Sequence, residues 1–286
     1  AGNGVVTQHG EVGWDNNNAG NFLGAEFATN VIAPGKVKIT LHTFYTLAES
    51  AIPETEAVLL IDSKKTNSRK ATALKKESEF IDVKYPAVAG SDNKLPPAVK
   101  VITYTATIAL GPQHASYDLF WKHSGLPAIL NNVQISSEDT IALETHIDDI
   151  QHAINNASPF LERLPALQVS SSATTACPIN ILDNDATDKV TLTLSALQLF
   201  HTPEKSITEN PGKTSKVKLV SEVKYRRGFT SDKPFGESGQ YNAINNEFIF
   251  TRPPFGSYLC AITITDYRNH EPLSQHQAIF LLTSIL

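Results

Sequence analysis

Residues 256–267 carry the pattern that most restricts the fold of this chain. Apolar side chains occupy every second position there, at Tyr258, Cys260, Ile262 and Ile264. Successive side chains of a β-strand point to opposite faces of its sheet, so this alternation predicts a strand with one buried face. A second run upstream repeats the pattern with Cys177, Ile179 and Ile181. The two runs predict two strands that each turn one face toward a core.

Alternation of the same kind recurs along the whole chain, for example at Val37, Ile39 and Leu41. Residues 101–108 form another such run, which is rich in the β-branched side chains that favour strands. Pro and Gly residues separate the runs at short intervals, as at 33–35 and 253–256. Many short strands at this spacing are typical of a sandwich or a barrel. The sequence therefore predicts an all-β fold.

The length of the chain, 286 residues, is enough for two domains of ordinary size. Residues 155–159 are polar, include a Pro and lack periodicity, as expected of a connection between domains. We therefore predict two β-sandwich domains in tandem, a Greek-key sandwich at 1–150 and a second sandwich at 151–286. The apolar strand at 279–286 is either the last strand of the second sandwich or a strand whose open edge contacts the next subunit.

The charge balance argues against two classes of partner. The formal net charge is −5, and the 24 basic and 29 acidic residues are well mixed. A nucleic-acid-binding protein would present a basic face, and a polybasic membrane anchor would present a basic cluster. No apolar run approaches the length of a membrane span. The sequence contains no Met, and removal of a signal peptide would leave a small residue such as Ala1 first, so we expect export.

The run at 256–267 also resembles a strand of a known fold. In immunoglobulin-like sandwiches a tyrosine lies two residues before the second Cys of a B–F pair and anchors a corner of the chain. Tyr258 and Cys260 are similar to that F strand, with Gly256 just before them, and the run that starts at Cys177 is similar to the B strand. The resemblance implies an immunoglobulin- or cadherin-like second sandwich. It leaves two states open for Cys177 and Cys260, an inter-sheet disulfide or two buried free thiols.

Four longer segments resemble the repeated ectodomain module of large secreted surface proteins from gliding and filamentous bacteria of the Bacteroidetes type, often described as PKD or cadherin-like. The similar segments are 24–45, 104–132, 155–185 and 246–269. This chain departs from the module at Lys122 and His123, where the family usually has adjacent cysteines. It also has Asp183-Asn184-Asp185 where the family has an aspartate–glycine–aspartate loop. The resemblance implies an extracellular structural or adhesive role without catalysis.

Three acidic residues follow the first cysteine strand: Asp183, Asp185 and Asp188. Alternating carboxylates in a loop offer oxygen ligands to Ca²⁺, which takes about six to eight of them. Further carboxylates that could approach the same ion are those of Asp148, Asp149 and Asp266. Asp is also an ordinary turn former, and no Gly supplies the sharp bend of a dedicated calcium loop. The cluster is thus either a calcium site or a simple turn, and calcium is the one candidate cofactor.

Sequence motifs of catalysis are absent from the chain. It has no Gly-x-Ser-x-Gly elbow, no P-loop and no dinucleotide-binding fingerprint. His146 and His152 flank two aspartates without the spacing of a zinc pair, which favours exposed linker histidines. Trp14, Trp121 and Tyr267 are candidates for a sugar-stacking platform, although the phase of Trp121 favours a core position. The sequence therefore predicts a protein that is not an enzyme.

Together these observations predict a secreted cell-surface protein with a structural or adhesive role. The expected form is a self-assembling subunit of an extracellular filament, appendage or adhesin. Its partners would be copies of itself or related surface subunits. The alternative is a carbohydrate- or calcium-dependent binding module with a glycan as its partner.

Overall fold

The computed structural model confirms the all-β prediction. Its one helix among the described residues is a 3₁₀ turn at Gly236–Ser238, which has neither the length nor the hydropathy of a membrane span. The structure describes residues 22–47, 56–64, 69–85, 98–110, 116–126, 129–136, 138–148, 155–165, 168–185, 187–201 and 219–285.

The described residues of the first part of the chain form eight strands. They are β1 (Phe22–Ala33), β2 (Lys36–Tyr45), β3 (Glu56–Ser63), β4 (Arg69–Asp82), β5 (Val99–Ala109), β6 (Tyr117–His123), β7 (Val133–Gln134) and β8 (Ile141–Ile147).

Most strands of the second part are short, apart from the last two. They are β9 (Phe160–Leu161), β10 (Gln168–Ser170), β11 (Thr174–Pro178), β12 (Ile181–Leu182), β13 (Lys189–Ser195), β14 (Gln198–Phe200), β15 (Val220–Glu222), β16 (Lys224–Tyr225), β17 (Gly239–Asn242), β18 (Glu247–Thr251), β19 (Gly256–Arg268) and β20 (Glu271–Ile285).

Eight strands close into an antiparallel barrel in the order β20-β1-β2-β5-β4-β3-β6-β8, and β8 pairs with β20 to complete the ring. Each of the eight strands contributes apolar side chains to one core. Fully buried examples are Phe27, Ile39, Leu59, Leu74, Ile102, Leu119, Leu143 and Ile279. Burying a side chain of this size stabilises the fold by about 1.5–3 kcal/mol. Where the sequence predicts a Greek-key sandwich at 1–150, the described strands form a barrel because β20 joins β1 to β8.

A second core lies between two sheets. The three-stranded sheet β11-β18-β17 packs against the sheet formed by β13, β19 and β20. Phe248 and Phe250 of β18 enter this core from one side, and Tyr258 and Cys260 of β19 enter from the other. The alternation at 256–267 therefore marks one face of β19, as predicted from the sequence. Part of the chain beyond residue 150 is thus arranged as two facing β-sheets.

Strand β20 belongs to both cores. Ile279 and Leu281 point into the barrel-side core, whereas Phe280 and Leu282 point into the core between the sheets. Along its edges, β20 pairs with β19 on one side and with β1, β8 and β10 on the other. The interpretation of this strand as an open edge is therefore wrong. A strand buried on both faces reads as an almost continuous apolar run, which explains the missing polar side.

The polar segment at 155–159 packs against the barrel. The Asn155 N–H donates to the Val31 carbonyl (2.8 Å), and the Ser158 N–H donates to the Thr29 carbonyl (2.7 Å). Farther along, the buried Glu26 carboxylate accepts the Leu161 N–H at 2.8 Å. The segment thus follows the edge of β1 beyond the point where β20 leaves it. Because β20 pairs with β1 and β8, a division at residue 150 would cut through one continuous sheet.

We predict that Gly24→Ala destabilises the protein, because Gly24 lies where β1 meets β20. A Cβ atom at this position would lie 2.5 Å from the Ile279 carbonyl oxygen and 2.9 Å from Leu164 Cδ2. The expected loss is about 1–3 kcal/mol of unfolding free energy, measured by chemical denaturation. Ala28→Ser, at a partly buried position of the same strand, serves as the control and should stay within about 0.5 kcal/mol. Equal unfolding free energies for the wild type and Gly24→Ala would contradict the close approach of the two strands.

Candidate functional site

The acidic loop and one end of β19 meet at the same place in the fold. Strands β13 and β19 are antiparallel, and Lys189 at the start of β13 lies opposite Tyr267 near the end of β19. Asn269 and His270 then turn the chain into β20, with φ values of 52° and 70°. Positive φ at both central residues is what a two-residue hairpin turn of type I′ requires. Asp183, Asp185 and Asp188 therefore lie beside the tip of the β19–β20 hairpin.

Arg268 supplies the positive charge at the acidic loop. Its guanidinium donates two hydrogen bonds to the Asp188 carboxylate, at 3.0 and 2.9 Å, and one to Asn156 Oδ1 at 3.2 Å. The Asp188 side chain is 1% exposed, whereas that of Arg268 is 30% exposed. The hydrogen bonds to Asp188 raise the pKa of Arg268 above its usual value. The forked geometry holds both partners in fixed orientations.

The other carboxylates of the loop bond to the protein's own backbone. Asp185 Oδ2 accepts the Ala157 N–H, and Asp183 Oδ1 accepts the Asp185 N–H, both at 2.9 Å. Burial, with the nearby charges of Asp185 and Asp188, raises the pKa of Asp183. In the described ranges no three His, Cys, Asp or Glu side chains are grouped so that they could hold a metal ion. Asp183, Asp185 and Asp188 thus lie in a turn braced by an arginine, at the place where the sequence left open either a calcium site or a simple turn.

Asp266 lies on the inner face of β19, beside this brace. Its carboxylate accepts hydrogen bonds from the Asn156 amide, at 2.5 Å, and from the Ser274 hydroxyl. Burial raises the pKa of Asp266 despite these two hydrogen bonds. Asn156 therefore links Asp266 to Arg268, and it ties the segment at 155–159 to the end of β19.

The two cysteines are free thiols in this structure. Cys177 and Cys260 are both buried, and both belong to the core between the sheets. Burial raises the pKa of Cys177 to about 11 and raises that of Cys260 well above its usual value. The protonated thiols pack as small apolar groups. The disulfide that the sequence left open is not formed here.

The corner around Tyr258 is held by hydrogen bonds to the backbone. The Tyr258 hydroxyl donates to the Pro254 carbonyl at 2.8 Å, which is the bond of a tyrosine corner. Gly256 has φ +131°, and a Cβ atom there would lie 2.5 Å from the Asn131 side chain. Asn132 bonds the Leu259 N–H and C=O at 3.1 and 2.6 Å, as a neighbouring strand would. These contacts fix the start of β19.

His146 differs from the exposed linker histidine that its sequence context favoured. It lies in β8 with its side chain 19% exposed, and its ring nitrogens contact Asp118 at 2.5 Å and Asp148 at 3.1 Å. The hydrogen bond to Asp118 raises the pKa of His146. Trp121 lies in the barrel core, as its phase predicted. Three other residues singled out from the sequence lie outside the described residues: Trp14, Asp149 and His152.

An open pocket of about 400 Å³ lies at the end of β13 and β19. We refer to it as the β13–β19 pocket, and its lining residues are Thr187, Lys189, Thr191, Tyr267, Asn269 and His270. Tyr267, one of the three predicted platform aromatics, is thus placed in a pocket, whereas Trp121 is in the core. Asp188 and Arg268 each lie between two lining residues in the sequence. Their ion pair therefore joins the two walls of the pocket.

Comparisons of this chain with protein-family models, with curated proteins and with solved structures find no match. Its candidate sites must therefore be argued from its own geometry.

The sequence alone does not reveal the roles of Arg268 and Lys189. Each is a single basic residue beside a β-strand end, where most basic residues are simply solvated. The available signal was the Asn269-His270 pair, because Asn favours the left-handed conformation of a tight hairpin. That signal places Arg268 next to a hairpin turn, whereas its position beside the acidic loop depends on the long-range pairing of β13 with β19.

We predict that Arg268→Gln destabilises the protein by about 1–3 kcal/mol, because Asp188 would lose charge-assisted hydrogen bonds while staying buried. Arg268→Lys, which keeps the charge without the fork, should lose less. Thermal unfolding of the three proteins measures the difference.

In the same assay CaCl₂ and a chelator should leave the melting temperature of the wild type unchanged. A rise with Ca²⁺ that the chelator reverses would contradict the arginine brace and support a calcium site.

Proposed function

We propose that this chain is a structural or adhesive subunit of an extracellular surface assembly. Copies of the chain associate through the outer edge of strand β13, and the role requires no catalysis. The observation that carries the proposal is an end strand of the large sheet that has a partner on one side alone among the described strands.

The edge of β13 offers backbone groups to another strand. The strand has seven residues, and its described partner is β19. On the outer edge the Tyr241 hydroxyl lies 3.5 Å from the Leu192 carbonyl oxygen, a long contact, and it is closer to Asn246 Oδ1 at 3.0 Å. Unpaired N–H and C=O groups along an edge are a template for strand addition. Among the described residues the long contact from Tyr241 is the hydrogen bond that the structure gives to this outer edge, so a second strand would add hydrogen bonds there.

The sequence of β13 suits pairing with a second copy of itself. In an antiparallel pair centred on Leu192, Thr191 would lie opposite Thr193, and Lys189 would lie opposite Ser195. No two like charges would face each other, and Thr–Thr pairs across strands are favourable. Such a pair has twofold symmetry and closes after two copies.

Longer assemblies need a second contact surface. Exposed apolar side chains near the end of β4, which lies across the barrel from β20, are candidates for it. Phe80 and Ile81 of β4 are each 54% exposed, and Val83 just beyond β4 is 63% exposed. Exposed apolar surface of this kind is typical of protein–protein contacts.

The type of the second sandwich and the export of the protein are proposed from the resemblance of this chain to known surface modules. The tyrosine corner at Tyr258 and the two facing sheets support an immunoglobulin- or cadherin-like sandwich within 151–286 as part of the proposal. The resemblance of 24–45, 104–132, 155–185 and 246–269 to secreted surface modules supports export to the cell surface.

A charge placed in the middle of the β13 edge tests this proposal. Thr193 is exposed, and Thr193→Lys would put a cation beside Thr191 and Lys189 of the second copy. We predict that the wild type associates as its concentration rises and that Thr193→Lys stays monomeric, in sedimentation-velocity runs and on electron-microscopy grids. Thr193→Val, which keeps strand propensity without charge, serves as the control and should associate like the wild type. A wild type that stays monomeric at millimolar concentration would refute the proposal.

A further inference from the structure

The β13–β19 pocket is built from two hydrogen-bonded strands, a tight turn and an ion pair. Lys189 and Tyr267 face each other across paired strands, and Thr191 lies one step along the same face. Asn269 and His270 form the tight turn at the hairpin tip. The ion pair of Arg268 with Asp188 holds the strand wall against the loop wall. A ligand that enters such a preformed site loses little affinity to ordering of the protein.

The lining of the pocket combines three kinds of group. Tyr267 is half-buried and offers an aromatic face, whose negative quadrupole attracts polarised C–H groups. Lys189 is exposed and brings a positive charge to the same face. Thr187, Thr191 and Asn269 supply hydroxyl and amide groups that both donate and accept hydrogen bonds. An apolar ligand would leave those polar groups without partners, and a small inorganic anion would leave the tyrosine face unused.

We propose that the β13–β19 pocket binds a carboxylated saccharide. One face of a sugar ring stacks on Tyr267, its carboxylate pairs with Lys189, and its hydroxyls bond to Thr187, Thr191 and Asn269. The Asp188 carboxylate, which adjoins the lining residue Lys189 in the sequence, repels this ligand less than a free carboxylate would, because its charge is paired with Arg268. The site goes beyond the proposed assembly and does not depend on it, because the pocket is complete within one chain.

Binding of an oligogalacturonate and of its methyl ester to the full chain tests the charge requirement. The two probes share the sugar rings and differ in the carboxylate, so their affinities isolate the role of Lys189. We predict that the acid binds more tightly than the ester by about fivefold, the size of an exposed ion pair. Isothermal calorimetry and chemical-shift perturbation measure both, at protein concentrations where the chain is monomeric.

Two variants locate the site. Lys189→Gln should reduce binding of the acid by about fivefold and leave binding of the ester unchanged. Tyr267→Ala should weaken both probes by about tenfold through loss of the stacking face. Lys233→Gln, at an exposed lysine outside the pocket, is the matched control and should bind like the wild type. Equal affinities for acid and ester, no binding at millimolar probe, or an unchanged Lys189→Gln would each overturn the proposal. Failure of the Thr193→Lys test would leave these results intact, because Thr193 does not line the pocket and binding is measured where the chain is monomeric.

Discussion

The fold depends on the burial of both faces of β20. Alternate residues of this strand enter different cores: Ile279 and Leu281 pack inside the barrel-side core, and Phe280 and Leu282 pack between the two sheets. Each of these side chains contributes about 1.5–3 kcal/mol, so the strand stabilises two structures at once. Its pairing with both β1 and β8 also closes the barrel, which the first 150 residues would leave open. The last strand in the sequence is thus the one that completes the first structural unit.

The charged groups near the end of β19 hold together the segments that surround β20. Arg268 pairs with Asp188, Asn156 bonds to both Arg268 and Asp266, and Ser274 of β20 donates to Asp266. The network connects the acidic loop, the segment after the barrel and the β19–β20 hairpin. Because each charge has a partner of opposite sign or a hydrogen bond, the hairpin end can be rigid without an apolar core. The same rigidity keeps the walls of the β13–β19 pocket in place.

Local features of this protein could be read from the sequence, whereas long-range pairings could not. The alternation at Tyr258, Cys260, Ile262 and Ile264 predicted a strand with one core face, and that face is observed. Residues 155–159 looked like a linker because their polar side chains gave no sign of the β1 edge that they bond. The acidic loop left a calcium site and a simple turn both open, because the arginine that pairs with it, Arg268, lies 80 residues farther along the chain. The apolar strand at 279–286 left open both a last sandwich strand and an open edge. Its composition shows that it is apolar on both faces, but it does not show what covers each face.

Native-state hydrogen exchange tests the shared strand most directly. If β20 joins the two cores, the amides of residues 278–282 exchange only through global unfolding, with the same opening free energy as the central amides of β2 and β18. The contrary result would be two different opening free energies, one for the barrel and one for the facing sheets, with the amides of β20 showing only one of the two values.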